Sequence, residues 1–579
     1  MGMPAPLRAT AALLIAALTA GCAGASSPRR EPPPGAASPA ASPAAPPASS
    51  PSPSPSGAAS PSAAAVAETV AGMSLERKVG QLFMPVLYGS RADAAHAENR
   101  ARFGVGTPAE VVRRYHLGGA ILFPWAGNVE DAGQVAALTR GLQKAAELPL
   151  AIGADQENGL VSRLSPLITD MPGSMAVGAT GRAEDAYDAA RVTGEELLAL
   201  GVNLDFAPVA DVNVDPANPV IGSRSYGSDP ARVAEMVGAA VDGFHQAGVA
   251  AAAKHFPGHG DTKVDSHSGL PVIRHSPAKW AKLDAPPFRA AIERGVDVVM
   301  SAHVVMPELD RSGAPATLSK RILTGLLRDE LGYEGVVSTD ALDMAGVREK
   351  YGDAEVAVRA VLAGVDLLLM PPDLPKAYQA VLGAVRSGRI TRERLDLSVT
   401  RLLTMKAARG ILSAAPAGDP AGLRSAEHRA VAQAIADRAV TAVRGGGRLP
   451  LKGDVLVTGP VARRLAGMID GAQAVVTGDT PTAGQIAAAR AAAARADAVV
   501  VTTADAGPAQ ARLVAAMAGT GKTLALVSTA APYELTRLRG ADVALAVYAG
   551  GEASLRAAAK VLTGSLKPGG DLPVTLTGR

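Results

Sequence analysis

The stretch KHFPGHGDTKVDSHSGLP, residues 254 to 271, carries His255, His259 and His267, three of only nine histidines in the chain, together with Lys254, Asp261 and Asp265 and glycines at 258, 260 and 269. Three roles are open to such a set. Its histidines and aspartates are suitable metal ligands, and on a helix His255 and His259 would share one face, as zinc hydrolases require. Pro257, Gly258 and Gly260 oppose a helix there. A second role is none beyond the folding of a polar loop. A third is general acid-base catalysis. In extended backbone Asp265 and His267 point the same way, so the carboxylate can orient or charge-balance an imidazole that titrates near neutrality. The glycines and Ser266 would let such a loop move over a substrate.

Between Ser74 and about Ile411 a short apolar or β-branched run, a loop and a longer amphipathic segment recur. Eight runs read as strands: residues 80–89, 119–125, 149–157, 202–212, 251–256, 297–304, 335–344 and 365–371. Helical patterns such as 184–201 and 229–248 separate most of them, and alternation of strand and helix predicts a parallel sheet. Eight units over this length predict an α/β fold of the (β/α)8 barrel kind across residues 68–412, with an open doubly wound sheet as the alternative. Asp155, Asp211, His255, His303 and Asp340 fall at or just past the C-terminal ends of their runs, the face on which barrel enzymes assemble active sites.

A second region, 425–579, alternates the apolar runs DVLVTG, ADAVVVTT, TLALVST and VALAVYAG with Ala-rich helical stretches, which predicts a smaller α/β layered, doubly wound domain. Its AGTGKT invites a nucleotide-binding reading. The phosphate loop needs a glycine where Ala516 stands, and it follows a strand and opens a helix, whereas this segment precedes an apolar run. A helix-to-strand turn is the better account.

At 579 residues the chain exceeds one ordinary core. A formal charge of +3 and an aromatic content of 3% give no reason to expect a nucleic-acid partner. After Arg8 the run AALLIAALTAGCAG has the length of a signal h-region and is too short to span a membrane. Its end, Leu18-Thr19-Ala20-Gly21-Cys22, is similar to a bacterial lipobox, with Leu18 one residue further from the cysteine than usual. That implies a signal peptide over 1–22, lipidation of Cys22, and an exported protein on the outer face of the cytoplasmic membrane or secreted. Cys22 is the only cysteine, so no intramolecular disulfide forms. Residues 23–67 are almost wholly Ala, Pro and Ser and read as an extended, disordered tether.

KHFPGHGDTKVDSH resembles the signature of the β-N-acetylglucosaminidases of glycoside hydrolase family three, the peptidoglycan-recycling group. GADQENGLVSRL (153–164), MPGSMAVGAT (171–180), VNLDFAPVADV, NPVIGSRSYG (218–227) and GVVSTDALDM are similar to that family in the same order, over most of the barrel. The resemblance implies a retaining exo-β-N-acetylglucosaminidase in which the His of Asp265-Ser266-His267 is the acid/base, Asp265 assists it, and Asp340 is the nucleophile, with Asp343 as the nearby rival. It implies that Asp155, Arg163, Arg224, Lys254 and His255 hold the terminal N-acetylglucosamine, and it assigns no metal and no cofactor. Asn158 stands where the common pattern has Gly, and His259 and Asp261 read as structural loop residues. Expected partners are N-acetylglucosamine-containing oligosaccharides or muropeptides. A metal-dependent barrel hydrolase and a non-catalytic glycan-binding lipoprotein are the competing readings, and the intact set Asp265, His267 and Asp340 weighs against the second.

Overall fold

The computed structural model describes residues 62–266, 269–413 and 419–576. The apolar leader, Cys22, most of the Ala/Pro/Ser tether and His267 lie outside the described residues.

Eight short strands form the ring of the first domain, apart from an antiparallel pair Gln156–Asn158 and Val161–Ser162: β1 (Phe83–Met84), β2 (Gly119–Ile121), β3 (Ala151–Ala154), β4 (Leu204–Asp205), β5 (Ala250–Phe256), β6 (Val298–Ser301), β7 (Val336–Ser338) and β8 (Leu368–Leu369). Every neighbouring pair is parallel, from β2 beside β3 through to β7 beside β6. The ring closes through β1 on β8, with Phe83 opposite Leu368, and through parallel bridges Val86–Ile121 and Ser338–Leu367. These are the eight strands that the apolar runs predict. Strands with both faces covered are apolar throughout, which is why they read as unbroken runs. The barrel interior is tight: a Cβ on Gly153 would sit 2.6 Å from Met84 Cε and 3.0 Å from Phe206 Cε2.

The helices predicted between β3 and β5 are Ala183–Ala199 and Pro230–Ala247. The second starts where Asp229 caps two backbone amides and Pro230 supplies a preset φ at the first helical position. One helix begins inside the segment read as tether. Ala63–Gly72 is capped by the Ser62 hydroxyl and buries Val66 and Val70, so residues 63–67 belong to a packed helix and not to the tether. Alanine is the strongest helix former, and two valines four apart supply the apolar stripe that the Pro-rich part lacks.

In the second domain six strands lie in the order β9, β14, β13, β12, β10, β11, where β9 is Thr441–Arg444, β10 Val455–Gly459, β11 Gln473–Val476, β12 Ala498–Thr503, β13 Thr523–Ser528 and β14 Val543–Ala546. All pairs are parallel except β9 on β14. The two strands absent from the sequence reading, β9 and β11, are the sheet edges. Gln473, Ala474 and Val476 are exposed, so β11 carries no buried apolar run to betray it. AGTGKT is the turn between helix Pro508–Ala518 and β13.

Candidate active site

A cavity of about 300 Å³ opens at the C-terminal ends of the barrel strands. Asp155 follows β3 directly, Lys254 and His255 lie within the last turn of side chains on β5, and Asp340 follows β7 by two residues. All four line the cavity, as do Arg163, Arg224, His259 and Ser266. The fold therefore brings together the five predicted binding residues and the predicted nucleophile. Asp343 lines the same cavity, one turn further on.

Lys254, 2% exposed, donates to Asp155 Oδ1 at 2.8 Å and pairs with Glu157 Oε1 at 2.6 Å. Arg224 holds Glu157 in a two-pronged pair, Nε to Oε2 and Nη2 to Oε1, both 2.7 Å. Burial alone would raise the Glu157 carboxyl, but the two cations outweigh it and hold the group far below the usual carboxylate range. Both cations are correspondingly pushed up against burial, Lys254 by Asp155 and Glu157 and Arg224 chiefly by Glu157. Glu157 is thus a fixed anion that sets the position of two groups at the cavity wall.

Asp211 plays the matching part for the histidines. It accepts the backbone N–H of His255 and of His259, the latter at 2.7 Å, and its Oδ2 lies 2.7 Å from His255 Nδ1. The other ring nitrogen of His255 faces Arg224 Nη2 at 3.4 Å. Burial opposes ionisation of Asp211, and the fields of His255 and His259 with these N–H bonds carry it below the ordinary value.

Asp340 is partly buried. Its backbone N–H donates to the Ser301 carbonyl at 3.1 Å, and its Oδ1 accepts the Ala341 N–H at 2.7 Å. Burial again pushes the carboxyl up, but His255, His303 and the Ala341 N–H bring it below the usual aspartate value. His303 does not enter the cavity wall; it bonds Thr317 Oγ1 at 2.8 Å and the Ala341 carbonyl at 3.0 Å, and so fixes the turn that carries Asp340.

The His259 ring is buried, and burial first, then the field of His255, lowers it to about 4. Its Nε2 lies 3.0 Å from Ser266 Oγ. Ser266 is the residue between Asp265 and His267, and both His259 and Ser266 line the cavity. Asp261 lies outside the cavity wall. It meets His275 Nε2 at 2.7 Å and Lys279 Nζ at 3.2 Å, and His275 Nδ1 meets Asp284 at 2.6 Å. Among the described residues no group of three or more His, Cys, Asp or Glu is placed to hold a metal ion.

Sequence reasoning gave no role to Glu157, Phe123 or Trp125, all of which line the cavity. Glu157 was findable, because Asp155 and Glu157 stand two apart at a strand end and so face one way. Nothing in the sequence marks Trp125 as a surface residue.

A closed ring of eight parallel strands, with paired carboxylates and cations at its C-terminal mouth, and a second α/β layer domain define a two-domain barrel protein with an ionic cavity. Residues 74–405 match the model of the glycosyl hydrolase family 3 N terminal domain and residues 421–579 that of the family 3 C-terminal domain; the chain belongs to glycosyl hydrolase family 3. It is 39% identical over 378 residues to beta-hexosaminidase A of Pseudoalteromonas piscicida, covering 60% of this chain and 63% of that protein. It is 34% identical over 391 residues to the beta-N-acetylglucosaminidase/beta-glucosidase of Cellulomonas fimi, covering 66% of each. The chain thus spans just under two thirds of the length of these two relatives. The solved structure of a family 3 beta-N-acetylglucosaminidase from Paenibacillus sp. str. FPU-7 superposes with a TM-score of 0.81 at 38% identity, over 88% of this chain and all of that one.

Proposed function

We propose that the protein is an exo-acting β-N-acetylglucosaminidase that releases terminal N-acetylglucosamine from cell-wall-derived glycans with retention of configuration. The observation that carries the reading is the division of labour among the carboxylates at one cavity. Asp340 is kept ionised next to open space, while Glu157 is locked in a buried ion pair with Arg224 and Lys254. Glu157 is held too firmly as an anion to serve as the proton donor, and the resemblance of residues 254–267 to the family signature gives the acid/base work to an imidazole. His267, assisted by Asp265, is that group. It protonates the glycosidic oxygen as Asp340 attacks the anomeric carbon; the covalent glycosyl-enzyme is then released by water that His267 deprotonates. The names of the relatives and of the superposing structure support the N-acetylglucosamine specificity.

The test is hydrolysis of 4-nitrophenyl N-acetyl-β-glucosaminide beside the matching β-glucoside, with and without chelator. Selective, chelator-insensitive release from the N-acetyl sugar, lost by about a thousandfold or more in Asp340→Asn, is expected. Preference for the glucoside, or full activity in Asp340→Asn, would overturn the assignment.

On the same reading Cys22 is lipidated and the Pro-rich tether holds the enzyme off the outer face of the membrane. Cys22→Ser then moves the protein from the membrane fraction to the medium, and continued membrane retention of that variant rules the anchor out.

A further inference from the structure

Trp125 is one of two tryptophans in the chain, and it is 58% exposed. The other, Trp280, is 1% exposed, packs edge-on against Phe256 and donates its indole N–H to the Pro257 carbonyl. A large ring left in water is ordinary when it stands alone on a surface. Trp125 does not stand alone: it lines the cavity that holds Asp340, whose inner wall is formed by Lys254 and His255, only 2% and 5% exposed. It therefore belongs to the outer part of that cavity.

The ring is held in place. Trp125 sits in the single turn of 3₁₀ helix Pro124–Ala126, closed by Gly127 at φ 73°. Buried Asn128 accepts the Phe123 N–H at 3.1 Å and donates to the carbonyls of Leu87 at 2.8 Å and Gly89 at 3.1 Å, and the Gly89 N–H donates to the Ala126 carbonyl at 2.8 Å. The indole stacks on Phe123 with centroids 5.1 Å apart and 30° between the planes, and Tyr88 meets it edge-on at 6.1 Å. Phe123 in turn lies under the Arg163 guanidinium at 5.6 Å, which joins the aromatic group to the inner wall. The outer part of the cavity thus carries one fixed aromatic face.

Apolar C–H faces of a pyranose ring match such a surface, and a preset ring loses little entropy when it is covered. Resting on the function proposed above, the geometry points to Trp125 as the platform for the sugar ring on the leaving-group side of the scissile bond. The inner cavity takes the terminal N-acetylglucosamine, and the next pyranose, emerging past Arg163 and Phe123, stacks on the indole. Trp125 thereby favours substrates whose leaving group is itself a sugar.

The experiment compares intact protein with its Trp125→Ala and Trp125→Phe variants on two substrates. One is the β-1,4-linked disaccharide of N-acetylglucosamine. The other is N-acetyl-β-glucosaminyl fluoride, whose leaving group is too small to reach the mouth. Trp125→Ala is expected to lose about tenfold or more in kcat/KM on the disaccharide and less than about twofold on the fluoride, with Trp125→Phe recovering most of the loss. Equal losses on both substrates, or none on the disaccharide, would overturn the platform. If the unaltered protein turns over neither substrate, it is the proposed function that fails. The platform is then decided by indole emission during titration with the trisaccharide of N-acetylglucosamine, since Trp280 is shielded. A shift present in the unaltered protein and absent in Trp125→Ala sustains it, and no shift refutes it.

Discussion

Asp340 and Glu157 show how one functional group, the carboxylate, is given two tasks by its surroundings. Both are drawn below their ordinary range, but Glu157 by Arg224 and Lys254 in direct contact, and Asp340 mainly by the fields of His255 and His303, which leaves its carboxylate facing the cavity. The opposite case is Lys406, fully buried on helix Arg392–Ala408, with Gln81 Oε1 at 3.2 Å. Burial lowers this amine to about 7. In the unfolded chain it keeps its ordinary value near 10.4. Between those two values the unfolded chain binds a proton that the folded protein does not, so stability rises with pH across that window, and the full cost is present below pH 7. Lys406→Met keeps the length of the side chain and removes the charge, leaving only the Gln81 oxygen short of a partner. It is expected to stabilise the protein by about 2–4 kcal/mol at pH 6, with the gain largely gone at pH 10, as read by urea denaturation at the two pH values. Asp340 was legible in the sequence because a carboxylate at a strand end has a position as well as a type. Lys406 and Trp125 were not, because each departs from the usual burial of its kind and nothing adjacent in the chain records that.

Strands supply the fixed half of the site and the 258–269 loop the half that must be docked onto it. The loop is tied at Asp261 through His275 to Asp284, and at Ser266 through His259. It also rests on helix Ala345–Tyr351, which follows directly from the Asp340 turn. There the contact is backbone on backbone: a Cβ on Gly346 would lie 2.5 Å from the Gly269 carbonyl oxygen and 3.2 Å from that of Ser266. Neither oxygen belongs to a side chain that can swing aside, so Gly346→Ala must lift the loop. On the proposed mechanism this displaces the acid/base pair relative to Asp340, and a misplacement of about 1 Å costs on the order of a hundredfold. Gly346→Ala is expected to lower kcat/KM by tenfold or more, by about 1.4 kcal/mol at the transition state, with a melting temperature within a few degrees of the unaltered protein because a helical alanine is locally favourable. Activity and thermal melts on one preparation check both halves. The barrel strands were legible as buried apolar runs, whereas this glycine, in a sequence stretch that reads only as the start of a helix, was not; its role depends on a loop some eighty residues earlier.

The two domains meet through charge that neither could bury alone. Glu196, 1% exposed on helix Ala183–Ala199 of the barrel, accepts the backbone N–H and the hydroxyl of Thr169 at 2.5 and 2.8 Å. It also accepts the Arg424 N–H at 2.7 Å and lies 2.7 Å from His428 Nδ1. A second tie, Arg438 to the buried Asp185, runs from the same helix of the second domain, Ala426–Ala439. Near the cavity the chain end completes the seam. The Pro573 carbonyl accepts the Ser228 N–H at 3.0 Å, four residues past Arg224, and Tyr533 lies 2.9 Å from Asn213 Nδ2, two residues past Asp211. The loops that position Arg224 and Asp211 are therefore backed by the second domain. These partners are hundreds of residues apart and of ordinary types, so the sequence marks two domains but not the seam between them. Removing the anion at its centre leaves His428 and three donors without their acceptor, and Glu196→Ala is expected to cost about 3–5 kcal/mol. If the domains unfold as one unit, the urea transition of Glu196→Ala stays single and moves to lower denaturant. If the seam alone gives way, two transitions appear, and kcat/KM falls in the first of them, because Arg224 loses its backing before the barrel opens.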